Sequence, residues 1–288
     1  MFDFDEKRPS TIPIVVLDTE TTGLYPGLGH RVVEIGAVRL ENWQPVAEFD
    51  QLIYPERPME AKASAVSGIT DADLLGKPTF AEVEPALSAL LDGALIVAHN
   101  ASFDAGFLGM EYFIAHQAKS TGSRQAGKES RLPVLPNPWL CTLLLARQHF
   151  HFGRNNLGHI AYKLGLRMGR AHRALNDVYM TAEVLKRMVH ELEKRKLETV
   201  GDLLYAQGEP IYTPPPPNLF LPEPVIDALG NGRQLRILYL GESGETERTI
   251  TPLYPSEHHG VGYLVAYCHL RNDQRTFRLD RIFSAELI

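Results

Sequence analysis

A run of four prolines, Pro214–Pro217, followed by Pro222 and Pro224, sets the first limit on how this chain can fold. Proline fixes φ and has no backbone N–H, so such a run favours extended polyproline II and admits neither a helix nor a central strand. Residues 207–224 are therefore expected to form a stiff linker. Its two sides differ in pattern: residues 1–206 alternate strand and helix signals, whereas residues 225–288 read mainly as short strands.

In the first part, Ile14–Leu17 is an apolar, β-branched run and reads as a buried strand. Val32–Leu40 and Ala47–Tyr54 suit two more strands. Phe80–Leu91 has helical spacing, Ala94–Ala98 is a further buried strand, and Ser102 is the expected N-cap of the next helix. Leu140–Phe150, Leu157–Leu164 and residues 173–195 are expected to be helical. Strands first, then mixed strand and helix, imply an α/β layer with a mixed sheet flanked by helices. Beyond the linker, the runs Leu235–Leu240, Thr249–Leu253, Tyr263–Cys268, Thr276–Leu279 and Ile282–Phe283 are separated by Gly and charged turns, the pattern of a small β-barrel or sheet.

No apolar run approaches the length needed to cross a bilayer, and the opening MFDFDEKRPST has no basic region followed by an apolar stretch. A cytoplasmic protein without a membrane partner is expected, with Cys141 and Cys268 as buried thiols. The formal net charge of −6 argues against an extensive phosphate-binding surface. Carboxylates that hold divalent cations contribute to the same total, however, so the local pattern has to decide. Residues 117–138 carry Lys119, Arg124, Lys128 and Arg131 against Glu129, either as a surface insertion or as a basic flap over a phosphate backbone.

Asp18 and Glu20 stand at the end of the first apolar strand, and residues two apart on a strand share a face. Two such acids repel and lose hydration unless a cation sits between them or the strand end runs into solvent. Asp104 follows the second buried strand, where an acid can equally complement a helix N-terminus. His172 and Asp177 would lie about 140° apart on one helix, so they converge only if His172 precedes the helix and Asp177 sits in its early turns. Taken together, these carboxylates with one histidine suit Mg²⁺ or Mn²⁺, because oxygen ligands select hard cations. His149, His151, His258 and His259 lack partners at zinc-site spacing and are expected to be surface residues.

The segments LDTETTG, AHNASFDAGFL and RAHRALNDV resemble the three ordered motifs of the DnaQ-like (DEDDh) exonucleases, nearest in wording to the epsilon proofreading subunit of bacterial DNA polymerase III. The resemblance covers about residues 12–195 and includes the weaker pieces SAVSGITDADL and NNLGHIAYKLGL. It implies a ribonuclease H-like mixed sheet flanked by helices, with Asp18, Glu20, Asp104 and Asp177 as ligands of two divalent cations and His172 as general base. It further implies hydrolysis with two metals about 3.5–4 Å apart and release of 5′-mononucleotides. Thr19, Thr21, Gly23, Leu24 and Asn100 are then candidate contacts for the terminal nucleotide. Cys141 departs from relatives, which often carry an acid there, but it is not one of the four metal acids.

RTITPLYP and GYLVAYCHLRNDQRTFRLDRI resemble a WYL domain, implying an SH3-like β-barrel over residues 225–288 that binds nucleic acid or a small ligand. Its signature tripeptide reads Gly262-Tyr263-Leu264 here, so the first aromatic is missing. Arg248, Arg271, Arg275, Arg278 and Arg281 are candidate anion or ligand contacts, or else a solvated edge salt-bridged to Asp273 and Asp280.

The leading expectation is a metal-dependent 3′→5′ exonuclease acting on single-stranded DNA ends in repair or proofreading, with a polymerase or repair protein as partner. The alternatives are an exoribonuclease trimming RNA 3′ ends, distinguished by contacts to the 2′-OH, and a non-catalytic ligand-sensing regulator.

Overall fold

The computed structural model describes residues 4–120, 135–166, 173–242 and 244–288, with the backbone alone at 118–120. β1 (Ile14–Thr21) pairs antiparallel with β2 (Val32–Glu41), which pairs antiparallel with β3 (Gln44–Leu52). After α1 (Ala61–Ser67), α2 (Asp71–Leu74) and α3 (Phe80–Leu91), β4 (Leu95–Ala98) lies parallel to β1 on its other side. α4 (Ala101–Ser120) leads on to β5 (Trp139–Cys141), parallel to β4, and the sheet order is β3-β2-β1-β4-β5. α5 (Thr142–His149), α6 (Leu157–Lys163), α7 (Ala174–Glu193) and α8 (Val200–Ala206) follow.

β1 is buried on both faces, which is why it reads as an unbroken apolar run. Its alternation splits the core into two layers. Ile14 and Val16 pack with residues of α5–α8, while Val15 and Leu17 pack with residues of α3 and α4. The expected mixed sheet flanked by helices is therefore present.

Three local expectations are corrected. Ser102 is not the N-cap: α4 begins at Ala101, so the chain turns at Asn100, which holds a left-handed φ of 78°. Leu140–Phe150 is not one helix. Its first residues pair with β4 as β5, because the sheet offers ladder partners, and the helix starts only at Thr142. The proline-rich segment also ends in structure: α9 (Glu223–Asn231) starts with Pro222 at its cap and Pro224 in its first turn, where a missing N–H is tolerated.

The proline segment lies against the first sheet rather than standing clear of it. Gln207 accepts from the N–H of Cys141 and donates to the carbonyl of Trp139 (2.8 and 3.0 Å). The Trp139 indole N–H donates to Thr213 Oγ1 (3.0 Å), and Ile211 bridges to Trp139. This cover satisfies the outer edge of β5, which would otherwise offer unpaired backbone groups.

β6 (Leu235–Gly241), β7 (Gly244–His258), β8 (Val261–Cys268), β9 (Asp273–Arg278) and β10 (Ile282–Leu287) form a second, antiparallel sheet in the order β10-β6-β7-β8-β9. Val225 and Ala228 of α9 close its core over Leu235, Ile237 and Leu264. This sheet docks on the loop after β1. Ser256 Oγ donates to the carbonyl of Gly27 (2.9 Å) and Thr276 Oγ1 to that of Leu28 (3.0 Å). Gly27 is required by this approach, since a Cβ there would lie 2.0 Å from the Glu257 carbonyl oxygen. Cys141 and Cys268 are buried thiols. His149 and His258 are half-buried rather than plain surface residues: His149 Nε2 meets the Ala206 carbonyl, and His258 lies 4.8 Å from the Tyr25 ring.

Candidate active site

β1 carries Asp18 and Glu20 to one end of the sheet, and the first turn of α7 brings Asp177 over them. One oxygen from each of these three carboxylates lies within 4.8 Å of the others. Asp104, 2% exposed, stands beside them in the first turn of α4. Its Oδ1 accepts from the backbone N–H and the hydroxyl of Thr19 (3.1 and 2.9 Å), tying α4 to β1 between the two strand acids. His172 falls outside the described residues, as do Arg124, Lys128 and Arg131 and the side chain of Lys119.

The approach of α7 rests on two residues of β2 that sequence reasoning missed. Gly36 is the register partner of Asp18, and a Cβ on it would lie 2.4 Å from the Leu175 backbone nitrogen. Glu34, 1% exposed and paired in register with Glu20, accepts from Arg173 Nε and Nη2 at Oε1 (3.0 and 2.8 Å) and from the Ala174 N–H at Oε2 (3.1 Å). This fork-shaped clamp fixes the start of α7. A lone acid inside the apolar run VVEIGAV was the signal that could have found it.

Gly36→Ala should push α7 off the strands, costing about 1–3 kcal/mol of stability. A displacement of about 1 Å at Asp177 should lower any hydrolytic rate by on the order of 100-fold. Thermal melts and turnover, measured on the same preparation, check both.

Burial pushes the Asp18 carboxyl well above the ordinary carboxylate range, and Asp104, Glu20, Asp177 and Glu34 push it in the same direction. Glu20 is raised to about 7, by burial first, then by Glu34, Asp177 and Asp104, with Arg173 opposing. Burial also raises Asp104, against the hydrogen bonds from Thr19. Acids held so close, and made so reluctant to ionise, fit the ligand set of a hard cation.

The linkage has a definite sign. In the folded metal-free protein these groups keep protons that the unfolded chain releases near pH 4, so stability is full below about pH 4 and falls as pH rises toward about 7. The metal-free melting temperature should therefore drop between pH 5 and 8, and Mg²⁺ or Mn²⁺ should raise it most at pH 8. A flat or rising metal-free profile would contradict this electrostatic description.

Of the expected nucleotide contacts, Thr19 and Thr21 are buried and engaged: Thr21 Oγ1 donates to the Gly23 carbonyl (2.7 Å). Leu24, 65% exposed, and the exposed Asn100 are the members open to a ligand, whereas Gly23 is buried. The C-terminal arginines come from several elements of the second sheet. Arg275 and Arg278 have opposite parity on β9 and are paired with Asp273 (3.5 Å) and Asp280 (2.6 Å). Arg248 lies on β7, Arg271 before β9 and Arg281 in the 3-10 turn before β10.

Residues 15–185 match the Exonuclease family model, and residues 222–287 match the WYL domain model. The chain belongs to the exonuclease family. It is 36% identical over 197 residues to a DNA polymerase III subunit epsilon-like protein of Rhodobacter capsulatus, covering 67% of this chain and 26% of that one. It is 33% identical over 204 residues to DNA polymerase III subunit epsilon of Escherichia coli, covering 68% of this chain and 79% of that one. A solved structure of exonuclease X in complex with 5′ overhanging duplex DNA superposes with a TM-score of 0.50 at 28% identity, covering 68% of this chain and 99% of that one. The chain spans 26%, 13% and 13% of the length of the first three curated relatives it matches. No helix among the described residues is long and apolar enough to cross a membrane.

Proposed function

We propose that this protein is a metal-dependent 3′→5′ exonuclease that releases 5′-mononucleotides from single-stranded ends, with DNA favoured over RNA. The observation that carries this is the convergence of the half-buried Asp18, Glu20 and Asp177 on one point, with the buried Asp104 beside them. The donor set fits hard divalent cations, Mg²⁺ or Mn²⁺, and two such ions held by these four acids would supply the charge stabilisation that phosphodiester hydrolysis needs. The protein's own part is to give up the protons of these acids, hold the scissile phosphate over β1 and exclude solvent. Leu24 and Asn100 would contact the terminal nucleotide, with Thr19, Thr21 and Gly23 shaping the strand end beneath it. His172, the residue before the clamped Arg173, would take the proton of the attacking water.

The division into an exonuclease unit (1–206), a proline-rich linker (207–224) and a WYL-like unit (225–288) is part of this proposal. An SH3-like barrel is supported by the return of β10, across the 3-10 turn Leu279–Arg281, to pair with β6. The similarity to DNA polymerase III epsilon proteins favours DNA and a polymerase partner over a repair protein. Arg248, Arg271 and Arg281 remain candidates for an anionic ligand or the nucleic-acid backbone.

The test is degradation of 5′-labelled single-stranded DNA and RNA of one sequence with Mg²⁺ or Mn²⁺. A ladder shortening from the 3′ end, faster on DNA and stopped by EDTA, is expected. Faster loss of RNA would favour the exoribonuclease alternative, and intact oligomers with either metal would favour the non-catalytic regulator.

A further inference from the structure

A cleft of about 1060 Å³ opens where the second sheet meets the first, walled on one side by residues 54–58, Leu74, Leu75 and Ile114 and on the other by Leu229, Tyr254, Tyr267 and residues 272–274. It includes none of the four metal-binding candidates. Its volume is at the upper end of small-molecule sites, and such sites favour the junction of two domains.

The charges in its wall decide what it can hold. Arg31 is neutralised by Glu111 (2.8 Å) and Glu56 (3.2 Å). Asp273 is paired with Arg275 (3.5 Å), and Asp71 accepts from the Met59 N–H (2.8 Å). Arg57 is different. Nη1 donates to the Gly29 carbonyl, yet among the described residues no carboxylate lies within ion-pair distance of it. Its Nε is buried without a hydrogen-bond partner, and so is the hydroxyl of Tyr254, a side chain 2% exposed in the same wall. Burial pushes the Arg57 guanidinium below its ordinary value, against the more distant charges of Glu60 and Asp273. Two buried polar groups left unsatisfied in one cleft wall are a deficit that native structures rarely carry without a ligand or water. The rest of the wall combines the polar side chains of Gln117, Asn272 and Gln274 with the exposed rings of Tyr54 and Tyr267 and the exposed side chains of Leu75 and Leu253.

We propose that this interdomain cleft is a binding site for a mononucleotide, its phosphate on Arg57 beside the Tyr254 hydroxyl and its base among Tyr54, Tyr267, Leu75 and Leu253. One cation without a direct ion pair suits one anionic group, guanidinium matches phosphate geometry, and stacking on aromatic faces suits a planar base. The chemistry comes from the cleft and stands apart from the hydrolysis reading, although a mononucleotide is also the product which that reading releases.

The test is calorimetric titration of the full chain in EDTA, so that the acid cluster cannot hold a nucleotide through metal. AMP, dAMP, adenosine, inorganic phosphate and benzoate are compared on wild type and on the Arg57→Gln, Leu75→Trp and Asp177→Asn variants. Leu75 is 77% exposed at the rim, so a tryptophan there blocks the cleft without entering the core. A single nucleotide equivalent is expected, weakened at least about tenfold by Arg57→Gln and by Leu75→Trp, unchanged in Asp177→Asn, and tighter than adenosine by a similar factor. Four outcomes would overturn the proposal: no nucleotide bound by wild type, loss in Asp177→Asn with Arg57→Gln and Leu75→Trp unaffected, adenosine binding as well as AMP, or benzoate binding as tightly as AMP. Because no catalysis is measured, failure of this site and failure of the nuclease reading give separate results.

Discussion

Asp18→Asn is expected to remove hydrolysis and, at pH 8, to raise the melting temperature of the metal-free protein. The two effects share one cause. Asp18 is half-buried beside three other acids, so in the absence of metal its ionised form is opposed by desolvation and by the charges of Asp104, Glu20 and Asp177. Asparagine keeps the shape and discards the charge, which relieves that opposition and should lift the metal-free melting point by about 3 °C or more. It also discards a cation ligand. Metal stabilisation of a phosphoryl transition state is worth several kcal/mol, so the rate should fall by on the order of 1000-fold. Melts in EDTA and turnover of a labelled oligomer with Mn²⁺ check the pair. A variant that is both inactive and less stable without metal would mean that Asp18 serves packing rather than a cation.

Glu111→Ala should be the most damaging single change to folding away from the acid cluster. Glu111, 1% exposed, receives Arg31 Nε at Oε1 and Nη2 at Oε2 (both 2.8 Å) and caps the N–H of Val32 with Oε1 (2.9 Å). Arg31 is itself 4% exposed. Removing the carboxylate strands a buried guanidinium with only the half-exposed Glu56 beside it, which should cost about 3–5 kcal/mol. The melting temperature should fall by roughly 10 °C. The double variant Arg31→Met with Glu111→Leu should recover most of that loss, because the expense lies in the unpaired charge and not in the missing bond. A double variant as unstable as Glu111→Ala alone would assign the effect to shape.

Elements with a strong one-dimensional signal were readable before any coordinates. Ile14–Leu17 announces a strand buried on both faces, and Phe80–Leu91 carries a full helical stripe between its Thr79 cap and Leu91. The short helices α1 and α2 have no such stripe, while β5 is three residues long and is a strand only because β4 offers it a ladder. The site divides in the same way. Its acids stand out because carboxylates at the ends of apolar runs are costly without a reason. The residue that aims Asp177 depends on a distant partner: Glu34 acts through Arg173, 139 positions away. The docking of Ser256 and Thr276 on the loop beside Leu24 was equally out of reach, since neither side of that contact carries a pattern of its own.

The most direct test of the metal centre is a Mn²⁺ titration followed by paramagnetic resonance at pH 8, comparing wild type with Asp177→Asn. Saturable binding by wild type is expected, with affinity lowered at least about tenfold in the variant and declining in wild type as the pH falls below about 7, where Glu20 regains its proton. Equal Mn²⁺ affinity in the two proteins, or no saturable binding in either, would contradict the assignment of Asp18, Glu20 and Asp177 to one cation site.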